Sequence, residues 1–378
     1  MLELLFLLLP VAAAYGYIMG KNSAKNQAHE QNRIITSEYS KGLKYLLDRE
    51  EDQGLEHLIK LLEVSADTVE HYLTLASLFR KRGELDRAIK IHELLLKQPN
   101  LDPNDLAVNR LELAHDYILA GIFDSAEEHL VVLIKSGHKD AIDPILSLYS
   151  QMREWQKGIN MYEAHRNLVD KKQQLATIAN FYCEAGIEQQ NSDLIERAFR
   201  IKHKALRPLY ELGKLASQQQ DHVKAIYYWR ELATHHPATL PLFITELQNA
   251  YVSLNIEEQF EALIAELLCR GGVLIRIKHC EALLKKGEVD QAIEFLTDSL
   301  KREPSIRGFS FLLQLISKKQ GDMADVLLQV DRLVRSYIAT KHEYQCQHCG
   351  FSSHTLYWLC PSCKHWETIL PSKGLDGY

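Results

Sequence analysis

The sequence predicts an all-α protein: a solenoid of helix pairs, preceded by an N-terminal transmembrane helix and followed by a small knuckle held by four cysteines. Three observations predict it. An uncharged apolar run opens the chain, a pattern of small and large residues recurs along its middle, and four of its seven cysteines crowd together near its end. Composition agrees. Gly (18) and Pro (10) are scarce among 378 residues, and Leu-, Ala-, Glu- and Lys-rich text favours helix over many short strands. The net charge of −6 provides no global field to draw the chain to nucleic acid or anionic lipid. An odd cysteine count with one tight cluster does not resemble a secreted disulfide framework. It fits a reducing compartment and a metal site.

The apolar run, Leu4 to Gly20, reads LLFLLLPVAAAYGYIMG. As a helix it reaches about 25 Å, at the short end of what spans a bilayer core. Pro10 removes one backbone hydrogen bond and predicts a kink. A cleaved signal peptide is the rival reading, with Ala12-Ala13-Ala14 imitating a cleavage site, and a buried core helix is a third. A signal peptide, however, begins with a positive region, and the only side-chain charge before this run is Glu3. The positive residues come after it, at Lys21, Lys25 and Arg33, which places the following chain on the cytoplasmic side. The reading is a transmembrane anchor over residues 1–20 and a polar juxtamembrane linker over 21–35.

Residues 36–338 carry the repeats. Tyr72, Leu75-Ala76, Phe79, Gly83, Ala88 and Pro99 set a pattern. It returns as Leu113-Ala114, Tyr117, Gly121 and Ala126; as Leu212-Gly213, Ala216, Ala225, Trp229 and Pro237; and as Cys280, Leu283, Gly287, Ala292 and Pro304. Weaker copies centre on Gly158, Ala198 and Phe260. From 88 to 292 the anchors advance in six steps, a mean of 34 residues. That period and pattern resemble the tetratricopeptide repeat family, in which each repeat is two antiparallel helices. Small residues sit where helices approach closely, as at Ala76 with Ala88, Ala114 with Ala126, and Gly213 with Ala225. Gly83, Gly121 and Gly287 close the first helix in a left-handed conformation, and Pro99, Pro237 and Pro304 break the second. One pair cannot bury its apolar face alone, so stacking is obligatory. Seven repeats are expected, with an eighth around Gly42 to Leu58 and a capping pair from Phe309 to Val334. The fourth repeat reads as irregular, with extra residues near Gln189-Gln190-Asn191. Tyr72, Phe79, Tyr117, Tyr149 and Tyr251 are expected in the core, and Cys183, Cys269 and Cys280 as small buried hydrophobes.

Residues 339–378 hold Cys346-x2-Cys349-Gly350 and, ten residues on, Cys360-Pro361-x-Cys363. A C-x2-C turn lets two thiolates face one ion while backbone N–H groups turn toward the sulfurs. Two such turns make a closed tetrahedral site for zinc or a single iron. So short a segment buries little core, so the ion is expected to supply much of its folding energy. The pattern resembles a rubredoxin-type knuckle but carries Lys364 where rubredoxins carry Gly, and a shorter intervening segment. Those departures favour a structural or docking role over electron transfer. His348, His354 and His365 are substitute ligands only if the four cysteines fall short. Phe351, Tyr357, Trp358 and Trp366 are expected to form a mini-core or to pack on the last helices of the array. Balanced charges around the knuckle argue against a nucleic-acid ribbon.

No phosphate-binding loop, nucleophile elbow or H-E-x-x-H is present, and the seventeen histidines scatter, so no enzyme is expected. The opening MLELLFLLLPVAAAYGYIMG, the repeat segment LFRKRGELDRAIKIH and the tail TLYWLCPSCKHWETILPSKGLDGY together resemble the lipopolysaccharide assembly protein B family of Gram-negative bacteria. The resemblance implies a single-pass inner-membrane protein with its body in the cytoplasm and a rubredoxin-like iron or zinc ligated by Cys346, Cys349, Cys360 and Cys363. It also implies a regulatory role. Such an adaptor promotes degradation of the lipid A deacetylase LpxC by the membrane protease FtsH, and other lipopolysaccharide synthesis or transport proteins are candidate partners. A general membrane-anchored scaffold for envelope biogenesis and an iron redox protein are the alternatives.

Overall fold

A helix pair needs an apolar stripe on each helix and a turn that reverses the chain between them, and both recur along this sequence. The computed structural model describes residues 69–98, 101–319 and 323–378, with a few isolated positions before residue 69. The anchor over 1–20, the linker over 21–35, the pair expected around Gly42 to Leu58 and the break at Pro99 fall almost wholly outside the described residues. Among the described residues no helix is long and apolar enough to cross a membrane.

From Val69 to Ala339 the described residues form sixteen α-helices in eight pairs. In order, α1 (Val69–Lys81) pairs with α2 (Leu85–Leu96), α3 (Pro103–Ala120) with α4 (Phe123–Lys135), α5 (Ile142–Met152) with α6 (Trp155–Ala164), and α7 (Lys172–Glu188) with α8 (Ser192–Ile201). The later pairs are α9 (Leu206–Gln218) with α10 (His222–His235), α11 (Ile244–Ser253) with α12 (Glu257–Leu267), α13 (Val273–Lys285) with α14 (Val289–Arg302), and α15 (Ile306–Lys319) with α16 (Ala324–Ala339). The seven anchor positions all lie on the second helix of a pair, and the expected capping pair is α15–α16. The architecture is a helical, tetratricopeptide-like solenoid ending in a cysteine-rich knuckle. It divides into two compact units between Gly137 and His138, and the second contains both the later helix pairs and the knuckle.

The seven intra-pair turns described share one geometry. Each has a left-handed residue: Gly83, Gly121, Arg153, Gln190, Gln220, Asn255 and Gly287. The next residue's N–H returns to a carbonyl five positions back, as Glu84 to Phe79 at 2.9 Å, Ile122 to Tyr117 at 2.8 Å, and Asp221 to Ala216 at 2.9 Å. This is the Schellman closure, which satisfies the last free carbonyls of the first helix. Three of the seven use Gly as expected. Asn255 adopts this conformation readily, while Arg153, Gln190 and Gln220 adopt it at a cost of about 1 kcal/mol or more, which the packed pair sustains.

The small-residue positions sit where expected. Ala76, Ala88, Ala114, Ala126, Ala225, Cys280 and Ala292 are fully buried. A Cβ on Gly213 would stand 2.2 Å from Trp229 Nε1, and one on Gly158 would stand 2.4 Å from the Phe181 ring, so glycine is required for those approaches. All five aromatic residues assigned to the core are buried. Two expectations are corrected. Cys269 is exposed, because it lies in the turn after α12, outside any helix face. The fourth pair has no insertion. Gln190 takes the same left-handed position as the other turn residues, and Asn191 N–H bonds Gly186 at 2.8 Å. The residue five positions beyond the turn is Ile195 rather than Ala198; Gly186 on α7 leaves room for it, which inverts the usual placement of small and large.

The second helices end near the expected prolines. α10 stops at His235, after which Pro237 opens a 3-10 segment, Pro237–Leu242, and α14 stops at Arg302 ahead of Pro304. Beyond α16 the knuckle forms a small antiparallel sheet from β1 (Tyr344–Cys346), β2 (Ser352–Ser353) and β3 (Ile369–Pro371), with β1 central.

Candidate metal centre

Cys346 ends β1, opposite Ile369, and the chain then turns back at Gly350, whose φ of 78° is left-handed. Gly350 N–H donates to the Cys346 carbonyl at 3.0 Å, and Cys346 N–H to the Phe351 carbonyl at 2.7 Å. The second turn repeats this design. Lys364 N–H donates to the Cys360 carbonyl at 3.0 Å, and Cys360 N–H to the His365 carbonyl at 3.0 Å. Lys364 takes the place of the expected glycine at φ 58°, so its side chain does not prevent the knuckle geometry.

The structure brings the four cysteines together. Their sulfurs all lie within 4.8 Å of one another, with Cys346 to Cys363 and Cys349 to Cys360 each at 3.7 Å. A tetrahedral ion with metal–sulfur bonds of about 2.3 Å requires sulfur–sulfur edges of about 3.8 Å. The donor set therefore fits such an ion, whereas 3.7 Å is far too long for a disulfide. Burial alone would push the Cys346 thiol up, but the Thr368 hydroxyl at 3.3 Å and the N–H groups of Cys349 and His348 outweigh it and bring it down to about 6. The Phe351 N–H lowers the Cys349 thiol. Backbone N–H groups aimed at the Cys346 and Cys349 sulfurs favour thiolate there, whereas burial pushes the Cys363 thiol up to about 12; four thiolates this close together are stable only around a cation.

His348 and His365 stack with ring centroids 3.8 Å apart, close to Cys363. His354 stands apart and packs on His342.

The knuckle is docked on the helix pairs of its own unit, where Trp358, Trp366 and Leu370 pack against the array. Trp366 packs edge-on against Trp155 and Phe181, with centroids at 5.7 and 6.1 Å, and its Nε1–H donates to Ser150 Oγ at 3.1 Å. Trp358 lies on Tyr210 at 5.4 Å. Between the two rings sits the Arg207 guanidinium, 5.4 Å from one and 5.8 Å from the other. Arg207 is only 2% exposed and donates to Glu184 at 2.8 Å. Burial raises the neighbouring Glu211 carboxyl, against the pull of Arg207. Asn180 Nδ2 donates to Glu367 at 3.0 Å. The expectation that the knuckle's aromatic residues pack on the last helices is corrected here: Trp358 and Trp366 settle on α5, α6, α7 and α9. The tail beyond β3 reaches the later helices instead, where Arg307 covers the Tyr378 ring at 4.0 Å and Ile306 N–H bonds the Leu375 carbonyl at 2.9 Å.

Sequence reasoning missed Arg207 as a docking residue. Its signal is a charged pair, Arg207 and Glu211, at i,i+4 inside an otherwise apolar helix face. Beside the docked knuckle lies an open cleft of about 920 Å3, bordered by Arg153, Glu184, Glu188, Lys214 and knuckle residues Tyr357 and Lys364.

Comparison with known proteins agrees with this geometry. The rubredoxin metal binding domain family matches residues 344–371, and the tetratricopeptide repeat family matches residues 72–107. Lipopolysaccharide assembly protein B of Escherichia coli K12 is 32% identical over 393 aligned positions, covering 100% of both chains. The Haemophilus influenzae protein of that name is 28% identical, with 98% of each chain covered. Among solved structures, a tetratricopeptide repeat protein from Parabacteroides merdae is similar at 12% identity and a TM-score of 0.36, over 71% of this chain and 99% of that one. Since identity to the E. coli protein runs end to end, through repeats and knuckle alike, the chain belongs to the lipopolysaccharide assembly protein B family.

Proposed function

We propose that this chain is a non-catalytic, membrane-anchored adaptor that regulates lipopolysaccharide synthesis by presenting the lipid A deacetylase LpxC to the membrane protease FtsH on the cytoplasmic side of the inner membrane. The observation that carries the reading is the full-length relation to lipopolysaccharide assembly protein B. Two structural features support it. The four-cysteine centre is a closed set with no open position for a substrate, which suits a structural ion, zinc or iron, rather than a reaction. The cleft beside the knuckle is lined by side chains of both charges, a surface suited to a polar polypeptide segment. An anchor at the N-terminus would confine adaptor, substrate and protease to one plane, raising their effective concentration without strong individual contacts.

The test is the steady-state level of the deacetylase in cells with the chain, without it, and with a form lacking residues 1–20. The level is expected to rise on deletion and to stay raised in the anchorless form. An unchanged level on deletion overturns the deacetylase reading and leaves a general envelope scaffold. A visible absorption band that bleaches reversibly on reduction would favour the iron redox alternative; a colourless site would remove it.

A further inference from the structure

The last helix pair leaves its second helix inverted. The one fully buried residue of α16 is an aspartate, Asp331, which accepts from the Ser310 hydroxyl and pairs with Arg335 at 2.9 Å. Five of its large apolar side chains are exposed instead: Val326, Leu328, Val330, Leu333 and Tyr337, with Leu333 at 72% and Val326 at 53%. None of the other fifteen described helices exposes more than two. Four of the five follow Met323, the exposed N-cap, at 326, 330, 333 and 337. Those steps of three and four residues line one face of a helix, as in the seam of a two-helix coil. The positions that flank the stripe carry no charge either, with Gln329 and Ser336 on one side and Leu327 and Val334 on the other. The C-terminal tail reaches the stripe at Tyr337, whose hydroxyl donates to Asp376 at 3.3 Å, and still leaves that ring 43% exposed. A solenoid is kept soluble by a polar outer face on its last repeat, because no further repeat covers it. α16 has the opposite surface.

We propose that α16 is a self-association surface, through which two copies of this chain pair their last helices antiparallel about a two-fold axis midway between Val330 and Leu333. Three observations favour a second copy of the chain. The stripe is symmetric about that midpoint, so Val330 packs on the partner's Leu333 and Val326 on the partner's Tyr337. An isologous contact requires such a self-complementary patch. The charges of α16 are divided along its length, with Asp325 and Asp331 in the first half and Arg332 and Arg335 in the second. Reversing the partner sets the acidic half of each helix beside the basic half of the other and opposes the two helix dipoles, whereas a parallel partner sets like beside like. The stripe offers roughly 500 Å2 per copy, so the pair buries about 1,000 Å2, enough for a specific but weak contact. The proposal is independent of the adaptor reading and of the metal centre.

The experiment follows the mass of the full-length chain in neutral detergent by sedimentation equilibrium, up to about 100 μM. A monomer–dimer equilibrium is expected, and Leu333→Glu is expected to raise its dissociation constant at least about tenfold, since it buries two carboxylates in the seam. Leu333 is exposed in the single chain, so the variant folds as the unmodified one, with circular dichroism as the control. Orientation is read by disulfide capture in a Cys269→Ser background, which removes the exposed thiol of the array. Val326→Cys and Tyr337→Cys chains are expected to link to each other when mixed and neither to link to itself, because like positions in an antiparallel pair lie about 16 Å apart along the axis. A chain that stays monomeric throughout overturns the proposal, as does a dimer that Leu333→Glu leaves within about twofold of its original strength. Self-linking of Val326→Cys overturns the antiparallel arrangement.

Discussion

Buried polar residues in the first unit show how much one side chain can decide. His92, Asn109 and Asp116 are fully buried. Asn109 Nδ2 donates to the His92 carbonyl at 2.9 Å, so its Oδ1 is free to accept from His92 Nδ1 at 2.7 Å. His92 Nε2 then faces Asp116 Oδ2 at 3.3 Å, while Arg80 pairs with Asp116 and Glu112. Burial lowers the His92 pKa, with Arg80 acting in the same direction and Asn109, Asp116 and Glu112 opposing. A histidine whose folded pKa is depressed binds fewer protons folded than unfolded. Its stabilising contribution is therefore full above the unfolded value of about 6.5 and is lost as pH falls through the folded value. Hydrogen-exchange protection of α2 in the full chain is expected to decline as pH drops below about 6.5, and His92→Gln to flatten that decline. An equal decline in the variant would assign the effect to the neighbouring carboxylates.

Helix pairs are built on turns, and the seven described turns obey one geometry with two kinds of residue. At Gly121 the backbone is left-handed at φ 75° and no atom lies within 4 Å of where a Cβ would stand. Gly121→Ala thus isolates the backbone penalty from any clash and should destabilise by about 1 kcal/mol in chemical denaturation. A loss near zero would show that the closure tolerates a Cβ there as readily as at Gln220 or Asn255. The approach of α9 to α10 at Gly213 has the opposite character, being limited by Trp229 rather than by the backbone. That contrast explains why glycine marks some turns and not others: the turn is held by its hydrogen bond and by packing, and glycine only makes it cheaper.

At the scale of the whole molecule, the knuckle acts as a wall clamped across α5, α7 and α9 by Trp358 and Trp366, with Arg207 between them. Both tryptophans lie within a few residues of a ligand cysteine, so the ion that orders the knuckle also orders its docked face. Removing the ion by chelation, or replacing Cys346 and Cys349 with Ser, is expected to shift tryptophan emission to the red and to open residues 344–371 to protease, while helical circular dichroism persists. Unchanged emission after proven metal loss would mean that the docked face holds without the ion.

Sequence alone determined what depends on short spacings. The helix pairs follow from a 34-residue recurrence, the left-handed closures at Gly83, Gly121 and Gly287 from glycine at a fixed offset, and the cysteine cluster from two C-x2-C turns, because each is encoded within a few tens of residues. The tertiary structure alone decided what depends on surfaces meeting across the chain. Trp366 and Ser150 are 216 residues apart, and Asn180 and Glu367 are 187 apart. No period encodes such contacts, so the knuckle's landing place, the burial of Arg207 and the stacking of His348 on His365 were invisible until the chain was folded. The same holds for Arg153, Gln190 and Gln220. Asparagine adopts a left-handed backbone readily, so Asn255 has a local reason for it, but the side chains of Arg153, Gln190 and Gln220 give none, and the packing of each helix pair imposes it.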